Sequence, residues 1–79
     1  VVHYGGNPAD LDEIRTIGKK NVIPIIEDAA HAMGSKYKGK YIGATGDIVC
    51  FSLQVVKIIN SGDGGLIATS NKTYYEKLF

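Results

Sequence analysis

Two short apolar runs bracket one segment of helical spacing between residues 1 and 27, and that order leaves few folds open. Leu11, Ile14 and Ile17 make one apolar stripe, with Asp10, Asp12 and Glu13 near its start and Lys19 and Lys20 near its end, as a helix dipole favours. Asn7 is the expected N-cap and Pro8 the first helical position. Residues 1 to 4 (VVHY) read as the end of a buried strand, followed by a turn at Gly5, Gly6 and Asn7. Residues 22 to 27 (VIPIIE) read as a strand buried on both faces, with Pro24 near its start or on an edge. Strand, helix and strand in so short a stretch imply a parallel, right-handed crossover and an α/β fold.

The rest of the chain extends that sheet. The glycine-rich stretch 34 to 46 contains SKYKGKYIG, which alternates as a hairpin turning near Gly39. Strands are predicted at 47 to 53 (DIVCFSL) and 65 to 69 (GLIAT), and a helix from about Lys72. A chain of 79 residues buries little surface, and its ends fall inside an apolar run and a helical pattern. Residues 1–79 are therefore expected to be one part of a larger three-layer domain.

Composition excludes several classes of function. Nine basic and eight acidic residues give a net charge of +1, which makes no field suited to nucleic acid or an anionic membrane. No apolar run is long enough to span a bilayer, and no signal peptide is visible, so cytoplasm is the expected compartment. The single cysteine, Cys50, reads as a small buried hydrophobe in a reducing environment. His3 and His31 are too isolated for a metal site, and His3 reads as structural. Residues 34 to 41 (GSKYKGKY) nearly match a phosphate-binding loop, but Tyr41 stands where Ser or Thr is needed. Lys36, Lys38 and Lys40 read as a solvated hairpin face.

Ligands of open α/β sheets collect at the carboxyl ends of strands, so polar residues there are the candidates. Asp28 ends the IIED run and precedes Ala29 and Ala30, which are small enough for a flat ligand to approach. It suits a cation, a metal or a protonated ring nitrogen, and equally an N-cap. Lys57 lies beyond the apolar strand among Val55, Val56, Ile58 and Ile59. Apolar surroundings favour a neutral, nucleophilic amine, although a snorkelling lysine is the commoner reading of such a position. Ser52 can donate to a phosphate or to its own backbone. Asp63, Gly64 and Gly65 form a turn that allows close backbone approach.

Taken together, VHYGGNPADLDEI, IPIIEDAAHAMGSKYKGKYIGATGDIVCFSL, the lysine and SGDGG resemble the DegT/DnrJ/EryC1/StrS sugar aminotransferases over nearly the whole chain. The resemblance implies the pyridoxal 5'-phosphate-binding large domain of a fold-type I aminotransferase. Its substrates would be a nucleotide-linked keto-sugar and glutamate, and its site would lie at a homodimer interface. Carried over by position, Asp28 matches the partner of the pyridine nitrogen, Ser52 a phosphate ligand, and Lys57 the Schiff-base lysine. His31 stands beside the ring where many members have Gln, and SLQVVK replaces a more aromatic run. A histidine in place of the lysine would imply dehydration, so Lys57 argues for amino transfer. The alternatives are a non-covalent mononucleotide-binding βαβ module, with the GDGG turn holding a phosphate, and an isolated piece that binds nothing.

Overall fold

The computed structural model describes residues 1–54 and 62–78. After a 3-10 turn at Tyr4–Gly6 come α1 (Leu11–Asn21), β1 (Ile26–Asp28), β2 (Lys36–Tyr37), β3 (Lys40–Tyr41), β4 (Ile48–Ser52), β5 (Gly65–Ala68) and α2 (Lys72–Leu78). β1 pairs parallel with β4, and β4 antiparallel with β5. A single parallel bridge from Val2 to Asp28 lies on the free side of β1. The α/β class is as the sequence predicts, but the strand expected at residues 1 to 4 is reduced to that single bridge, because the chain turns into the 3-10 segment at Tyr4.

Several boundaries differ, each for a local reason. Helix α1 starts at Leu11, with Asp10 rather than Asn7 as N-cap. The Asn7 N–H is already bonded to the Tyr4 carbonyl, and the Ala9 N–H donates to His3 Nδ1, so residues 7 to 10 are held out of the helix. The N–H of Asp12 finds its acceptor in the Tyr37 hydroxyl, which in turn donates to Asp10 Oδ1. A hairpin residue thus satisfies one of the orphan donors of the helix start.

At the other end, Val22 adopts a left-handed conformation, with φ 54°. The Ile23 N–H bonds the Gly18 carbonyl and the Val22 N–H bonds that of Lys19, a Schellman closure. The apolar residues 22 to 25 are therefore helix exit, and the strand is confined to Ile26–Asp28. The buried face of α1 is Leu11 and Gly18, while Ile17 is exposed. A methyl on Gly18 would lie 2.9 Å from the Ile23 carbonyl oxygen and from Ile25, so the helix meets its own exit segment at a glycine.

The predicted hairpin is present. Lys38 and Gly39 both have positive φ between registered pairs Lys36–Tyr41 and Tyr37–Lys40, as a type I' turn requires. This segment is not a loop leading into a helix. The Lys36 and Lys38 ammonium groups lie over the Tyr41 and Tyr37 rings. Lys38 also pairs with Asp12; that hydrogen bond holds the Asp12 carboxyl below its usual range and raises the Lys38 ammonium. Both groups are exposed, so the pair adds little to stability.

Alternation along β4 sorts the sheet into two faces. Val49 and Phe51 are buried and join Leu11, Ala29, Ala32 and Ile42 in one core cluster. Each of these two strand residues contributes roughly 1.5–3 kcal/mol relative to exposure. Ile48, Cys50 and Ser52 occupy the other face and are half-buried. Ile26 there is 56% exposed, and Val1 and Val2 are exposed as well, so neither predicted early strand is covered on both sides within this chain. Cys50 is likewise only half-buried. No helix among the described residues is long and apolar enough to cross a membrane.

Candidate active site

β1 carries two acids in succession, and the pleat sends them to opposite faces. Glu27 enters the core and is fully buried. Its Oε1 lies 2.9 Å from His3 Nε2, and its Oε2 accepts a hydrogen bond from the Arg15 guanidinium at 3.3 Å. His3 is itself buried, and its Nδ1 accepts the Ala9 N–H at 2.9 Å. The acceptor role at Nδ1 leaves the proton of a neutral imidazole on Nε2, pointed at Glu27. A methyl group on Gly46 would fall 2.3 Å from Glu27 Oε2, so the loop before β4 closes directly over the carboxylate. His3 is structural, as expected, but its tie to Glu27 and Arg15 was not foreseen. The available signals are an acid inside the IIED run and an arginine between Leu11 and Gly18 on the inward side of α1.

Asp28 goes to the open face. Both of its backbone groups bond the Val1–His3 segment, the N–H donating to the Val1 carbonyl and the C=O accepting the His3 N–H. Its side chain is exposed, with Oδ1 accepting the Ala30 N–H at 3.1 Å. This local turn is the alternative role foreseen for Asp28, although no helix follows it. Oδ2 has no hydrogen-bond partner among the described residues, and an exposed carboxylate oxygen at a strand end is open to a ligand.

Asp28 is in register with Cys50, so Ser52 lies two residues further along β4 on the same face. Strand spacing puts the two Cα atoms about 8 Å apart. Ser52 is half-buried, and among the described residues its Oγ has a single long contact, 3.4 Å from the Gln54 N–H. Behind it the Leu53 N–H bonds the Gly64 carbonyl, which brings the DGG turn against the end of β4. Asp63 Oδ1 accepts the Gly64 N–H in that turn.

His31 lies three residues past Asp28 and is exposed. Its carbonyl packs against Gly6, where a methyl group would lie 3.1 Å away, and Ser35 Oγ donates to the Gly6 carbonyl at 2.8 Å. The Gly5–Gly6 loop and the segment after β1 are thereby joined at the carboxyl end of the sheet. The structure thus gathers Asp28, His31 and Ser52 at that end, while Lys57 lies outside the described residues. A concavity of about 450 Å³ lies at the opposite end, beside Arg15, Ile25, Asp47 and Tyr74, and Asp28, His31 and Ser52 do not line it.

The profile of the DegT/DnrJ/EryC1/StrS aminotransferase family matches residues 1–79. An uncharacterized protein of Methanocaldococcus jannaschii is 47% identical over 77 residues, which cover 98% of this chain and 20% of that protein. Among solved structures, Helicobacter pylori PseC, an aminotransferase involved in the biosynthesis of pseudoaminic acid, superposes with TM-score 0.92 at 28% identity over 98% of this chain and 21% of its own. DesV of S. venezuelae, solved in complex with a ketimine intermediate, superposes with TM-score 0.90 at 38% identity over the same shares. The chain spans about a fifth of the length of these relatives.

Proposed function

The chain belongs to the DegT/DnrJ/EryC1/StrS aminotransferase family, and from that membership we propose that it forms part of the pyridoxal 5'-phosphate-binding domain of a sugar aminotransferase. The reaction would move an amino group from glutamate to a keto group of a nucleotide-linked sugar, in amino-sugar or surface polysaccharide synthesis in the cytoplasm, by a homodimer. The observation that carries this reading is the shared face of Asp28 and Ser52 at the carboxyl ends of two parallel-paired strands.

The donor set fits the cofactor. An exposed carboxylate and a hydroxyl on one sheet face, from residues whose Cα atoms are about 8 Å apart, suit the two ends of a phosphorylated pyridine ring. Ala29 and Ala30 put no bulk beside the carboxylate. When bound, the protonated ring takes up the electron pair left by removal of a substrate proton. Asp28 Oδ2 would hold the proton on the ring nitrogen, and Ser52 Oγ would donate to the phosphate. His31 would stack on the ring or bond at its edge. Lys57 would anchor the cofactor through Nζ and, once released, carry the proton at the substrate carbon.

The test is Asp28→Asn in the full-length protein that carries this segment. The amide matches the carboxylate in shape but no longer favours a protonated ring. The variant should retain bound cofactor and lose transamination by at least about 100-fold in kcat. Near-normal turnover would remove Asp28 from the role, and with it the observation on which the assignment rests.

A further inference from the structure

We infer that His3 is a positioning residue for Asp28, acting through the buried Glu27 on the opposite face of the same strand; the inference rests on the proposed role of Asp28. The two acids are adjacent, so fixing the side chain of one fixes the direction in which the other leaves the backbone. β1 is only three residues long and has Ile26 exposed, so its pairing alone is a weak constraint on its last residue. His3 supplies the missing restraint twice. Its backbone N–H donates to the Asp28 carbonyl at 3.0 Å, and its ring reaches Glu27 Oε1 at 2.9 Å.

The ring cannot reverse its roles without loss. Nδ1 is engaged by the Ala9 N–H, so only Nε2 is available to donate, and Glu27 is its acceptor. Arg15 and the close approach of Gly46 then leave the carboxylate no second position. Both Glu27 oxygens are thus bonded, one by the His3 ring and one by Arg15, although the buried Arg15 Nε has no partner among the described residues; two fixed donors hold the carboxylate in one arrangement. The consequence on the exposed face is an Asp28 carboxylate held by the Ala30 N–H at one oxygen, with the other aimed from a fixed Cβ.

Two histidine replacements separate the halves of the ring. His3→Gln sets an amide N–H near the place of Nε2 and keeps the bond to Glu27. His3→Asn sets an amide oxygen near the place of Nδ1, keeps the bond from Ala9 and loses Glu27. The readout is the ratio of two dissociation constants in the full-length protein, for pyridoxal phosphate and for its analogue with C–H in place of the ring nitrogen. Both ligands share the aldehyde and the phosphate, so general damage to the site weakens them equally and leaves the ratio unchanged.

Asp28→Asn should reduce the preference for the nitrogen-bearing ligand about tenfold. His3→Asn should reduce it in the same direction by about threefold or more, His3→Gln should largely preserve it, and His3→Asn should add nothing once Asp28 is Asn. An unchanged ratio in Asp28→Asn would overturn the role of Asp28 and this inference together. A fall in Asp28→Asn with none in His3→Asn would overturn the inference alone, as would equal losses in the Asn and Gln variants. If His3→Asn does not fold, histidine-labelled wild-type protein decides. The His3 Nε2–H resonance, assigned by its loss in His3→Gln, should shift more with pyridoxal phosphate than with the analogue, because coupling is reciprocal. Equal shifts would overturn the inference.

Discussion

Gly46 and Glu27 are fitted to each other: a methyl group on Gly46 would lie 2.3 Å from Glu27 Oε2 and 3.3 Å from Val49 Cγ2. Gly46 also has φ 115°, a conformation that side-chain-bearing residues rarely adopt. The pair explains why a buried acid is tolerated in the core. The loop before β4 can close over a carboxylate already bonded by His3 and Arg15 only if it carries no side chain there.

Gly46→Ala should therefore destabilise the protein by about 3 kcal/mol or more, combining backbone strain with displacement of a buried, paired carboxylate. Equilibrium denaturant unfolding measures it. A loss within about 0.5 kcal/mol would mean that Glu27 can be seated elsewhere at little cost.

Val22 presents the opposite case, a β-branched residue at φ 54° where glycine or asparagine is usual. It is 90% exposed, so its side chain has little packing to lose. Val22→Gly should raise stability by about 1 kcal/mol, the cost of left-handed backbone for an L-residue less the extra freedom of glycine when unfolded. A clear drop in the unfolding midpoint would show that the conformation is maintained by contacts of the valine itself.

The same residue shows where sequence legibility ends. Val22, Ile23 and Ile25 have strand propensity and helical neighbours, and propensity carries no information about a Schellman closure made by the Gly18 and Lys19 carbonyls. The start of α1 was obscured in a similar way, because the Ala9 N–H is taken by His3, and nothing local marks that bond. Elements set by their own residues were legible: the hairpin turning near Gly39, and the strand of β4, though not which of its residues face the core, since Cys50 reads as buried and is half-buried. The placement of Asp28 and Ser52 at strand ends was readable too. Their shared face was not, since it depends on the register of Asp28 with Cys50, a long-range pairing.

Ser52 lies at the end of β4, where among the described residues its Oγ has one long contact, 3.4 Å from the Gln54 N–H, which leaves the hydroxyl hydrogen available to a ligand. Ser52→Ala in the full-length protein should weaken pyridoxal phosphate binding by about 1.5–3 kcal/mol, the worth of one hydrogen bond to a charged group. The fold should be unaffected, because no buried partner is lost. An unchanged dissociation constant, measured by titration of cofactor absorbance, would exclude Ser52 from the phosphate site.

Lys57 is selected from the eight lysines of the chain by its neighbours. Lys19 and Lys20 lie in the last turn of α1, Lys72 and Lys77 in α2, and Lys36, Lys38 and Lys40 in the exposed hairpin, where an ammonium stays hydrated. Only Lys57 has Val55, Val56, Ile58 and Ile59 around it, between β4 and the DGG turn. Such neighbours disfavour the charged amine, and a positively charged cofactor ring would disfavour it further, so a neutral nucleophile becomes accessible. Borohydride treatment of the cofactor-loaded full-length protein, followed by peptide mass mapping, should place a pyridoxyl group on Lys57 Nζ. A mononucleotide-binding module would hold its ligand without any such adduct. An adduct confined to another lysine would remove Lys57 from the site and leave Asp28 and Ser52 facing a ligand of different chemistry.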